Sequence, residues 1–209
     1  MPWFSNPHID ENQDLEIGIG TGTTNRPEYP CYQFWEYGYF AWIYKKNEIA
    51  VGKTVAITGI KFECDATDSP QIMANQTLSL GQVNSAEFGV NVRNNMTQNP
   101  AAGWATNNIQ VVKSGFTWSV TSNLQRFYEI NFDTPYYYNP NDTTYPHLLV
   151  YWINEANNYN NGSTSPWAEC FTDGTFRSYY DYQDNSLPPA TDAGTRASNG
   201  TPNIQLIIN

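Results

Sequence analysis

The sequence predicts an all-β chain: a two-sheet antiparallel β-sandwich, jelly-roll-like, with little helix. Three observations predict it. The chain carries 15 Tyr, 10 Phe and 7 Trp and is only 14% charged, against about 25% in an ordinary globular domain, and aromatic and β-branched residues suit a pleated, half-buried surface. Short apolar runs recur roughly every ten to fifteen residues, separated by Gly, Pro, Asn and Asp, which is the rhythm of a sandwich or barrel. No stretch of about twelve residues spaces its apolar positions at three to four.

Taken in order, strands are expected near Leu15 to Thr21, Tyr32 to Tyr44, Thr54 to Cys64, Thr77 to Val83 and Phe88 to Val92. They continue near Ile109 to Val112, Phe116 to Val120, Leu124 to Phe132, His147 to Glu155, Thr175 to Tyr182 and Ile204 to Ile208. Val55 and Ile57 share one parity while Ile60, Phe62 and Cys64 share the other, so a β-bulge is expected around Gly59. Leu148 to Ile153 is apolar in both parities, the mark of a central strand covered on both faces. Ile204, Leu206 and Ile208 alternate with Asn203, Gln205 and Asn209, so the closing strand is expected to be half exposed. Lys113-Ser114-Gly115 reads as a hairpin turn. Asn139 to Asp142, Asn157 to Gly162 and the polar stretch from Asp184 to Pro202 read as loops.

At 209 residues the chain fits one sandwich domain, residues 14–209, preceded by an N-terminal arm, residues 1–13. A core of that size needs no disulfide or metal to be stable. The formal charge of −10 and the pI near 4.4 exclude a nucleic-acid partner, because phosphate affinity comes from clustered Lys and Arg. Cys31, Cys64 and Cys170 lack metal-site spacing and read as buried thiols, with one disulfide plus one thiol as the other reading. The first residues, Met1-Pro2-Trp3-Phe4-Ser5-Asn6-Pro7, have neither the charge nor the apolar core of a signal peptide. No membrane-spanning helix is expected. Synthesis and assembly in the cytoplasm is therefore the expectation, a mature form whose leader has been removed being the alternative.

Several segments carry a resemblance in a fixed order. Leu15-Glu16-Ile17-Gly18-Ile19-Gly20-Thr21-Gly22-Thr23 is followed by Tyr29-Pro30, Tyr37-Gly38-Tyr39, Ile43-Tyr44, Asn47-Glu48-Ile49 and Ile57-Thr58-Gly59-Ile60-Lys61-Phe62. Phe132-Asp133-Thr134-Pro135-Tyr136-Tyr137-Tyr138-Asn139 follows as a turn, His147 to Trp152 as a strand, and Arg177-Ser178-Tyr179-Tyr180 with Pro202-Asn203-Ile204 as closing motifs. From about residue 14 to 208 this order resembles the β-sandwich module of bacterial surface proteins exported by the type IX route. That resemblance implies a non-catalytic, adhesive or carbohydrate-binding-like sandwich with no catalytic set to transfer. The chain departs from it in showing neither a leader nor a C-terminal sorting domain, which raises a second setting for the same module: a virion component of a virus infecting such bacteria.

Catalytic chemistry finds little support in the residues. Only His8 and His147 titrate near neutrality, and both read as structural. No nucleophile elbow or phosphate loop occurs, and Gly18 to Gly22 lacks the lysine and helix that phosphate binding needs. Glu36, Glu129, Glu155 and Glu169 lie in or near strands, but nothing selects two of them as a glycosidase pair. Asp181 and Asp184, with Asp173, are candidate Ca²⁺ ligands without EF-hand spacing. Candidate ligand-binding aromatics in loops are Tyr136, Tyr137, Tyr138, Tyr159, Trp167, Tyr179 and Tyr180, while Trp152 reads as core. Asn-x-Ser/Thr sequons begin at Asn75, Asn95, Asn141, Asn161 and Asn199 and matter only in a glycosylating pathway.

The expected function is therefore non-catalytic: a structural or assembly subunit of a virion decoration, fibre or tail. Trp3, Phe4 and Ile9 of the arm are its candidate assembly contacts, and a homo-oligomer is expected with no cofactor and no membrane insertion. The alternative is a secreted surface module that binds cell-surface glycan.

Overall fold

The computed structural model describes residues 14–26, 30, 34–65, 71–89, 106–120, 127–158, 168–189 and 194–209. Trp3, Phe4, Ile9, Cys31, Tyr159 and Trp167 lie outside them. One sheet has four strands in the order β1 (Leu15–Ile19), β13 (Ile204–Ile208), β4 (Val55–Glu63), β7 (Phe127–Tyr138). A second has six, in the order β11 (Thr195–Ala197), β10 (Ser178–Gln183), β3 (Tyr37–Tyr44), β8 (His147–Glu155), β5 (Gln71–Val83), β6 (Thr106–Val120). A small third sheet joins β12 (Thr201–Pro202), β9 (Ala168–Phe171) and β2 (Thr24–Arg26), and one short helical turn, α1 (Lys46–Ile49), follows β3. All pairings in the three sheets are antiparallel.

Two four-strand sets face each other, β1-β13-β4-β7 and β3-β8-β5-β6, and the chain alternates between them except from β5 to β6, which are neighbours in one sheet. That is the jelly-roll order, with β10 and β11 added beyond β3. The core between the sheets is aromatic: Trp42, Phe62, Trp118 and Trp152 meet edge to face, with Phe62–Trp152 centroids 5.6 Å and Trp118–Trp152 centroids 5.3 Å apart. The outer face of the six-stranded sheet is covered around β3 and β8 by a second cluster in which Phe88 and Tyr179 pack on Tyr39, Ala41, Ile43, Leu149 and Tyr151. β8 therefore buries both parities, as its apolar run requires.

Pairing of β4 skips Thr58 between Ile57 and Gly59, and this bulge lets Val55 and Ile57 face the core together with Ile60 and Phe62. Two expectations need correction in the paired strands. Lys113-Ser114-Gly115 is not a hairpin turn. β6 runs through it, and Gly115, at φ +63°, forms a bulge where pairing with β5 jumps from Gln76–Phe116 to Leu78–Lys113. Phe132 to Pro135 is likewise a bulge inside β7, since pairing with β4 passes from Gly59–Asn131 to Ile57–Tyr136.

Further boundaries move. β3 begins at Tyr37 and not at Tyr32. β10 begins at Ser178 because Asp173 Oδ1 accepts the Thr175 N–H and closes a turn there. Phe88 is buried but unstranded, with residues 90–92 outside the described set. The closing strand is less exposed than its alternation implies, because Ile207 is only 6% exposed and packs over Gly59, where no Cβ intervenes. Among the described residues no helix is long and apolar enough to cross a membrane.

Candidate functional site

In a jelly roll the outermost strands β6 and β7 lie on the same side of the sandwich, each in a different sheet. Among the described residues β6 pairs with β5 alone and β7 with β4 alone. The two bulges lie opposite each other and hold these strands together: Lys113 Nζ meets Asp133 Oδ1 at 2.6 Å, and Gln110 Nε2 donates to the Pro135 carbonyl at 3.1 Å. A bulge re-aims side chains, and here it turns the β7 edge toward β6.

Beyond this clasp the edges part. A cleft of about 440 Å³ opens between Phe116–Ser119 of β6 and Tyr128–Asn131 of β7. Its floor is the aromatic core itself, since Phe116 lies 5.4 Å from Trp152 and Trp118 lies 6.0 Å from Tyr128 between ring centroids. Thr117, Glu129 and Asn131 are exposed on its rim. Glu129 also pairs with Lys61 at 3.3 Å, and Lys61 reaches Glu16 at 2.6 Å, so the Lys61 ammonium titrates above its ordinary value, chiefly through its hydrogen bond to Glu16.

Trp118 lines the cleft, with its indole nitrogen itself buried. The residue is 3% exposed, and among the described residues its indole N–H has no acceptor. A buried donor left unpaired costs about 1–3 kcal/mol, and such a group in a native fold calls for an explanation, a bound acceptor being one. Adjacent Trp152 shows the ordinary solution. Its N–H donates to Gln76 Oε1 at 2.7 Å, and Gln76 Nε2 donates in turn to Asn154 Oδ1 at 2.6 Å.

The aromatic residues singled out from sequence do not converge on one place. Tyr136, Tyr137 and Tyr138 lie in β7 and not in a loop. Strand alternation buries Tyr136 and Tyr138 and leaves Tyr137 68% exposed. Burial raises the Tyr136 phenol well above its ordinary value and pushes Tyr138 up to about 12, its hydroxyl donating to the Pro146 carbonyl at 2.7 Å. Tyr179 is fully buried against Phe88 on the outer face. Three of the candidates thus have no open ring face for a ligand. Tyr180 is half-buried and stacks on Tyr182, with centroids 5.6 Å apart, and Tyr182 stacks on Trp35 at 5.1 Å.

Asp181 is half-buried in β10 and Asp184 exposed beyond it, and among the described residues no three His, Cys, Asp or Glu side chains gather as metal ligands. Asp173 does other work. Burial raises its pKa, but hydrogen bonds from Lys45, Thr175 and Arg177 outweigh that and hold the carboxyl well below its ordinary value. His147 accepts the Lys46 N–H at 3.2 Å and is held below its ordinary value by burial and by Lys45 and Arg177. Cys64 and Cys170 are buried.

Two features escape sequence reading. Arg177 is wholly buried, bidentate to Glu48 at 2.7 and 2.8 Å and bonded to the Ile43 carbonyl at 2.9 Å, which ties α1 to β3. Trp118 belongs to the alternating run Phe116-x-Trp118-x-Val120, a pattern that reads as core and carries no sign of an unpaired donor. Comparison with protein-family models, with curated proteins and with solved structures finds no match.

Proposed function

We propose that the chain is a non-catalytic structural subunit that self-associates through the open β6–β7 edge of its jelly roll. The observation that carries this reading is the contrast between that edge and the rest of the sandwich. At β3 and β8 the six-stranded sheet is covered on both faces, and its β3 side is extended by β10 and β11. Two long strands end their sheets side by side at the cleft, and an unpaired strand edge is a template for association. A virion decoration, fibre or tail-associated subunit is the setting that suits such a domain, and in it the subunit needs no chemistry of its own.

Amide hydrogen exchange across a dilution series tests the reading. Protection of Phe116 to Ser119 and Tyr128 to Asn131 is expected to rise with protein concentration, and concentration-independent exchange there counts against it. One observation favours a second reading, glycan binding by a secreted surface module: the half-buried stack of Trp35, Tyr182 and Tyr180 at the far side of the sandwich. Aromatic rings of this kind combine contact area with a polar tip.

A further inference from the structure

We infer that His147 is an acid-operated latch on α1: while neutral it holds the Lys46 amide, and on taking up a proton it releases that amide and loosens the segment from Lys46 to Gly52. The device lies where the chain passes from β3 through α1 to β4, and it is independent of the β6–β7 edge.

At four residues α1 is too short to stand alone, so its tethers decide where it sits. Ile49 is 1% exposed in the core between the sheets. Glu48 accepts the Lys45 N–H at 2.7 Å and is itself held by the buried Arg177. His147, the first residue of β8, accepts the Lys46 N–H on Nδ1 at 3.2 Å. Of these groups the imidazole is the one whose charge ordinarily changes just below neutrality.

The bond has one sense. An imidazole that accepts on Nδ1 carries its proton on Nε2. A second proton goes to Nδ1, which then meets the Lys46 N–H donor to donor. The new charge is also badly placed. Lys45, Lys46 and Arg177 face the ring, against Glu48 alone of the carboxylates among the described residues. Asp173 stands behind them, paired to Lys45 and Arg177, and β5 sets the uncharged Val83 opposite His147. Burial, Lys45 and Arg177 hold the imidazole below its ordinary value, which keeps the latch shut at neutral pH.

The ring also has room to leave. A cavity of about 510 Å³ lies beside it, lined by His147, Lys46, Asn47 and the turn Ala50-Val51-Gly52. Ala50 donates its N–H to the Lys46 carbonyl at 3.1 Å, so a shift of Lys46 is passed on to this turn. At φ +51° Ala50 is in the left-handed region, which is costly for a residue with a Cβ, and release relieves that strain. Opening leaves the β3–β8 pairing intact, because the Tyr44–Leu148 register belongs to the backbone.

The test follows the full-length, ¹⁵N-labelled chain by NMR from pH 7 to 4. The His147 ring nitrogens report its own titration, and amide exchange, corrected for its intrinsic pH dependence, reports α1. As His147 protonates, protection of the Lys46 and Ala50 amides is expected to fall about tenfold, the loss of one hydrogen bond, while β3 and β8 keep theirs. His147→Asn retains a side-chain oxygen close to the place of Nδ1 and does not titrate, so its α1 is expected to stay protected throughout. Lys46→Pro deletes the amide itself. Lys45, at φ −72° and ψ 144°, already has the extended backbone that a residue before proline needs, and proline suits the first position of a helix. In that variant the step at Ala50 is expected to be lost while His147 titrates closer to its ordinary value.

Ala50 protection that ignores the protonation of His147, a step retained in either variant, or an imidazole still neutral at pH 4 overturns the inference. Loss of protection in β3 and β8 together with α1 overturns it as well, since that is unfolding of the whole domain and not release of a latch.

Discussion

Trp118 and Trp152 touch in the same core, their rings 5.3 Å apart and at 89°, yet their polar ends meet different fates. Trp152 sits on β8, with β3 on one side and β5 on the other, and the neighbouring strand places Gln76 beside Asn154 in register to take its N–H. Trp118 sits on β6, which among the described residues has a partner strand on one side only. A central strand thus draws acceptors from two neighbours, and an edge strand from one. The difference gives the Trp152 indole N–H an acceptor within the sheet and leaves that of Trp118 without one among the described residues.

The comparison is broken hardest where satisfaction is most complete. Arg177→Met leaves the carboxylates of Glu48 and Asp173 without their buried partner and is expected to cost about 3–5 kcal/mol in urea denaturation at neutral pH. Gln76→Leu removes the acceptor of Trp152 and the donor of Asn154 while keeping the volume apolar. Its expected cost is about 2–3 kcal/mol, read the same way.

Acid provides a graded version. Both Asp173 and His147 titrate lower in the folded chain than in the unfolded one, so the unfolded state takes up protons first as pH falls. Their contributions are complete above the ordinary values and are lost as pH falls, beginning below 6.5 for His147 and below 3.8 for Asp173. Urea midpoints from pH 7 to 3 are expected to decline in that order, with the lower-pH part of the loss smaller in Arg177→Met. A midpoint that rises on acidification contradicts the assignment. The smallest effect belongs to the edge: Trp118→Phe deletes a donor without an acceptor among the described residues, so only the lost ring volume counts and the isolated subunit is expected to lose about 1–2 kcal/mol.

The frame of the fold was legible in residue order because strand parity is local. The phase change at Gly59, the doubly apolar run of β8 and the apolar alternation of β13 each follow from side chains pointing to alternate faces. The bulges at Gly115 and at Phe132 to Pro135 were misread as turns, since glycine and proline serve a bulge and a turn equally well and only the partner strand decides between them. The tyrosines of β7 were misread for the same reason, a bulge having been taken for the start of a loop. The cleft was not legible at all. It depends on which two strands end their sheets, and that is a property of topology and not of any local run.

The central claim is that the β6–β7 edge is where subunits join, and light scattering on the full-length chain beside Thr117→Lys with Asn131→Lys tests it most directly. Both positions are exposed on the rim of the cleft, and lysine is the residue that keeps natural strand edges apart. A wild-type assembly that falls to single subunits in the variant, with its folded-state spectrum unchanged, is the predicted result. An assembly of the same mass in both chains contradicts the account.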